Sequence, residues 1–140
     1  MKKILVAYDG SEGAKKALNR AMELSKSYNA SLTALWVGGY MPYYHESVAE
    51  VQEEENAIEK FANKLKKELK NASLNTEKTI EFKHIQGNPA KQIVEYATNN
   101  MIDLIVVGCE GHSGLWKNNL GHVAEKVSNY ATCDVLITRL

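Results

Sequence analysis

Five short apolar runs, separated from one another by stretches with helical periodicity, restrict this chain to a small set of folds. The runs are Lys3–Tyr8, Ser31–Val37, Thr79–His84, Leu104–Val107 and Val135–Thr138. Three of them are almost unbroken Ile, Leu and Val. Runs of that kind suit parallel strands covered on both faces, because a half-exposed strand alternates apolar with polar. The intervening segments repeat differently. Ala14, Ala17, Leu18, Ala21 and Met22 fall on one helical face behind Ser11, an N-cap type. Ile58, Phe61, Ala62, Leu65 and Leu69 form a second stripe, and the charged face over Glu53–Lys70 is expected to meet solvent. Asn88-Pro89 is a helix start, with Asn at the cap and Pro at the first helical position. Ile93, Val94, Ala97 and Met101 follow it. Val123, Ala124, Val127 and Ala131 define the last stripe. The order β-α-β-α-β-α-β-α-β predicts an α/β fold with a parallel sheet and helices on both faces. Right-handed crossovers narrow the topology further.

A chain of 140 residues is read as one domain, 1–140, large enough to bury a core without disulfides or structural metal. A formal net charge of zero leaves no broad basic face, so nucleic acid is not an expected partner. No stretch approaches the length of a membrane span, and no membrane partner is expected. The charged start at Lys2 and Lys3 is followed by too short an apolar run for a signal peptide. The only cysteines, Cys109 and Cys133, fit free thiols in a reducing compartment, and a cytoplasmic location is expected.

Chemistry concentrates where the fourth run ends. Four of the nine glycines, Gly108, Gly111, Gly114 and Gly121, lie within fourteen residues. A glycine cluster between a buried strand and a helix exposes backbone N–H groups, and the helix N-terminus adds positive potential; both favour an anion such as phosphate. The same glycines also suit a tight turn with no ligand. Tyr8-Asp9-Gly10-Ser11 ends the first run in a comparable way. If the first and fourth strands flank the point where the winding reverses, their carboxyl ends open into a crevice, and Asp9 faces the glycine loop across it. There Asp9 can bind a ribose hydroxyl or a metal-bound water, or it can simply cap a turn. The segment Gly38–Ser47 follows the second strand on the same edge and reads as a loop, either a lid or an irregular connection. Tyr40, Tyr43 and Tyr44 lie within it.

Other chemistries find less support. Cys109, Glu110, His112 and His122 include zinc-ligand types, yet their spacing matches no established zinc arrangement, and Cys109 can equally be a buried apolar group. No Gly-x4-Gly-Lys-Ser/Thr loop, Gly-x-Ser-x-Gly elbow or His-Glu-x2-His motif is present, and no obvious general base is placed, so at most slow turnover is expected. Trp36, in a strand, reads as packing.

Several of these features together resemble the universal stress protein family. Ile4–Glu12 is similar to that family's first strand and turn, Gly87–Ala90 to its third-helix start, and Cys133–Arg139 to its last strand. Gly108, Gly111 and Gly121 match its Gly-x2-Gly-x9-Gly nucleotide pattern. The resemblance implies a single-domain, open, doubly wound five-stranded sheet in the order 3-2-1-4-5, and a homodimer formed through the last strand, Val135–Thr138. Some members bind ATP and others do not. In those that do, the glycine loop holds ribose and phosphates, the segment near Val37 borders adenine, and the acidic position, here Asp9, lies beside the nucleotide. The resemblance therefore implies a site of Ala7, Tyr8, Asp9, Val37, Gly108, Gly111, His112, Gly114, Gly121, His122 and Val123, taking ATP with Mg2+ in a stress-response sensor or switch. The chain departs from the pattern after Gly121. His122 stands where the family has Ser or Thr, and Ala124 replaces a second common hydroxyl. His122 can contact phosphate through a ring nitrogen, or its ring can close the pocket and leave a dimeric interaction module.

Overall fold

The computed structural model describes residues 1–38, 47–109 and 121–139. Strands β1 (Lys3–Ala7), β2 (Ser31–Val37), β3 (Ile80–Ile85), β4 (Leu104–Gly108) and β5 (Asp134–Thr138) alternate with helices α1 (Glu12–Tyr28), α2 (Val48–Ser73), α3 (Pro89–Asn99) and α4 (His122–Tyr130). All pairings are parallel, and the sheet order is β3-β2-β1-β4-β5. The α/β architecture expected from the alternation is therefore present, with the strand order that the resemblance implied.

The central strands are apolar throughout because each face of the sheet is roofed by helices. Ile4, Val6, Leu32, Ala34, Leu104 and Val106 point to the face covered by α1 and α2. Leu5, Leu35, Ile105 and Val107 point to the opposite face, under α3 and α4. The residues between them along each strand serve the other layer, as a two-residue side-chain period requires. At the edge, β3 alternates half-buried Ile80 and Phe82 with exposed Glu81 and Lys83, since one of its sides lacks a neighbouring strand.

Helix α2 begins at Val48, ten residues ahead of the apolar stripe read from Ile58. Its first turns are largely exposed, with Val51 and Glu54 half-buried and no residue fully buried, so the apolar signal there is weak; Ser47 starts the helix by accepting a hydrogen bond from Glu50 N at 3.2 Å. The outer face over Glu53–Lys70 is exposed, as expected. Ser11 and Asn88 cap α1 and α3 as read, accepting from Ala14 N and Lys91 N at 3.2 and 3.1 Å. Among the described residues, no helix is long and apolar enough to cross a membrane.

Candidate functional site

In a parallel sheet, every strand delivers its carboxyl end to the same edge, and the helix that follows begins there. Here β1 and β4 are neighbours, yet β1 continues into α1 on one face and β4 into α4 on the other. The divergence leaves a gap between them. A cleft of about 640 Å³ occupies it. Ala7, Tyr8 and Asp9 line it from the end of β1, Leu35, Trp36 and Val37 from β2, and Val107 and Gly108 from β4. Helix starts complete the wall: Ser11 and Ala14 of α1, Pro89 and Ile93 of α3, and Gly121, His122, Val123 and Ala124 of α4. Phe61 reaches it from α2.

The cleft has two chemically different ends. At the α4 end the N-cap is Gly121, which has no side chain to bond the first-turn amides. The N–H groups that open a helix have no intrahelical partner. At α1 and α3, Ser11 and Asn88 satisfy one such donor each; at α4, among the described residues, no side chain caps the helix. His122, the first residue of α4, is exposed at this end. Gly121 N donates to Cys109 O at 2.6 Å, which holds the start of α4 against the end of β4. The opposite end is aromatic, formed by Trp36, Phe61 and Tyr8.

Individual side chains refine the expectations. Asp9 is exposed, and its Oδ1 accepts from Ser11 N at 2.9 Å, the turn-capping role open to it from sequence. Tyr8 is buried, and its hydroxyl donates to Glu68 Oε2 of α2 at 2.7 Å. Burial first, then the Glu68 hydrogen bond and the negative charge of Glu68, hold the Tyr8 phenol well above the ordinary tyrosine range. Gly108 is required by packing within the fold. A Cβ there would stand 2.8 Å from Gly13 O and 2.9 Å from Gly13 C of α1. Cys109 is a buried free thiol, which suits the apolar reading of that residue. Among the described residues, no group of three His, Cys, Asp or Glu side chains is placed to hold a metal. Glu110, Gly111, His112 and Gly114, along with Tyr40, Tyr43 and Tyr44, lie outside the described residues.

Sequence reasoning missed Trp36, Phe61, Ser11 and Pro89 as cleft residues. Ser11 and Pro89 were findable, since each stands at the start of a helix on the ligand-binding edge. Trp36 does pack, as read, with its ring centroid 4.8 Å from Phe61 and 4.2 Å from His84, but it also forms part of the cleft wall.

The parallel sheet in the order β3-β2-β1-β4-β5, with helices on both faces and a cleft at its switch point, defines a doubly wound α/β domain. The chain belongs to the universal stress protein family, whose model matches residues 1–139. It is 40% identical over 145 residues to universal stress protein YxiE of Bacillus subtilis, covering 98% of each chain. The universal stress protein UspA from Lactobacillus plantarum superposes with a TM-score of 0.85 at 26% identity, over 99% of this chain and 97% of that one. A universal stress protein solved in complex with cAMP matches with a TM-score of 0.69 at 29% identity, over 98% and 96% of the two chains.

Proposed function

We propose that this chain binds an adenine nucleotide in the cleft between β1 and β4, ATP with Mg2+ in its working form, and acts as a dimeric stress-response sensor or switch. The observation that carries the reading is the α4 N-terminus. The helix begins at the cleft, which Gly121, His122, Val123 and Ala124 line, its cap is a glycine, and the helix dipole adds attraction for a phosphate. The base then lies toward the apolar end, near Val37. A universal stress protein of similar structure solved in complex with cAMP supports an adenine nucleotide as the ligand.

The remaining residues fit these roles. Ala7, Tyr8 and Asp9 border the sugar, and Asp9 offers an oxygen to a ribose hydroxyl or to a water on Mg2+. Magnesium keeps several waters and needs few protein carboxylates, so one at the cleft suffices. Bound Mg2+ supplies charge neutralisation for the phosphates. His122 and Val123, with Gly108, Gly111, His112, Gly114 and Gly121, form the phosphate side, where His122 donates from its ring in place of a hydroxyl. The last strand, Val135–Thr138, is the proposed dimer edge. The expected location is the cytoplasm, and hydrolysis is slow or absent.

The test is the small-molecule content of freshly purified, undialysed protein by acid release and mass spectrometry, followed by calorimetric titration with Mg-ATP. Retained adenine nucleotide or saturable binding is expected. Absence of both would overturn the proposal in favour of an interaction module whose site is closed by His122.

A further inference from the structure

The aromatic end of the cleft is a partition with a second hollow behind it. Trp36 lines the cleft, while His84, stacked on its ring at 4.2 Å and 17°, lines a separate groove of about 420 Å³ between α2 and β3. Ile58, Ala62 and Phe82 give that groove an apolar floor. Among the described residues, this stacked pair of rings, with Phe61 of α2 beside it, stands between the two spaces.

Trp36 is held from several directions. His84 packs on its ring, Phe61 leans against it at 59°, and the indole passes close over Gly38. A Cβ at Gly38 would stand 2.7 Å from Trp36 Nε1, so the ring can lie there only because residue 38 is glycine. Trp36 is 8% exposed, which leaves little of the ring to act as a broad stacking platform. A large ring fixed on this many sides is a stop.

We infer that Trp36 is the specificity-determining residue of the cleft, setting the largest base that fits by closing the passage to the groove behind. His84 is its positioning residue. The inference rests on the nucleotide reading: with phosphates at the α4 amides, the base is directed to this end. The ligand class selected is a purine nucleotide with an unenlarged base, against one carrying a bulky group on the base edge.

The experiment compares Mg-ATP with N6-benzyl-ATP by calorimetry on wild type, Trp36→Leu and Trp36→Phe, with far-UV circular dichroism as the check of folding. Wild type is expected to bind ATP at least tenfold more tightly than the benzyl analogue, roughly the discrimination a shaped apolar pocket achieves. Trp36→Leu is expected to gain about tenfold or more for the analogue while changing less for ATP. Trp36→Phe keeps an aromatic ring in the core, serves if the leucine variant fails to fold, and is expected to gain less. A merely structural Trp36 would weaken both ligands together. ATP binding with no gain for the analogue in a folded variant overturns the inference alone. Absence of binding by wild type to either compound overturns the nucleotide reading and the inference with it.

Discussion

At the scale of single residues, the physical reason for a side chain often differs from the reason its sequence position suggests. The glycine spacing groups Gly108 with a phosphate-binding cluster, and within the fold its lack of a Cβ admits the backbone of Gly13. Gly108→Ala forces backbone against backbone, with no flexible side chain to yield, and is expected to cost about 2 kcal/mol in urea denaturation. That contact joins residues far apart in the chain, so glycine spacing alone could not reveal it. Tyr8 carries a second prediction. Its phenol is held in the neutral form by burial and by Glu68, so folded protein keeps the proton after unfolded protein has lost it. The stability contributed is fully present below the ordinary tyrosine value of 10.0 and is lost as pH rises above it. Stability measured between pH 8 and 11 should therefore fall at the alkaline end, and fall less in Tyr8→Phe. At neutral pH that variant should lose about 1 kcal/mol with its hydrogen bond. Asp9 was legible as a turn residue and as a cleft residue, and both descriptions hold, because the turn is what brings it to the cleft.

Among the elements, the helix starts divide by how their first amides are satisfied. Ser11, Ser47 and Asn88 cap their own helices, and Gly121 leaves α4 without a side-chain partner. The difference gives stability and binding opposite signs. Gly121 has φ of −62°, which any residue adopts, so Gly121→Asp should fit the backbone. Its carboxylate would cap the helix and meet the positive end of the dipole, raising stability of the ligand-free protein by a few tenths of a kcal/mol to about 1 kcal/mol. The same carboxylate would repel phosphate and occupy its donors, weakening Mg-ATP by about tenfold or more. Thermal denaturation and calorimetry on one preparation check both signs; unchanged Mg-ATP affinity in the folded variant would remove α4 from the proposed site. The elements were also unequally legible. Strands β1, β2 and β4 are announced by continuous apolar residues because both of their faces are covered. The opening of α2 was silent because it packs on little, and the strand order came only through the family resemblance, since periodicity carries no information about which strands are neighbours.

For the whole molecule, β4 connects the cleft with the β5 edge: its carboxyl end borders the cleft, and along its side it pairs with β5 from Leu104 to Gly108. Residues Val135–Thr138 are half-buried in the isolated chain, although among the described residues β5 has only β4 as a neighbouring strand. An edge of this kind has unpaired backbone groups available to a second copy, and a pairing of identical edges closes as a twofold dimer. The proposed dimer predicts a solution mass of twice 15.6 kDa by light scattering. Val135→Lys places on this edge the type of charge that blocks edge pairing, and it should yield folded monomer. Ligand and assembly then become separable. Mg-ATP at about one hundred times its Kd should stabilise the protein by about 2.7 kcal/mol through mass action. If the cleft is complete within one chain, monomeric Val135→Lys should retain that gain in full. Loss of the gain in a folded monomer would mean that the second copy helps to hold the nucleotide, and the sensor would then read ligand and assembly as a single event.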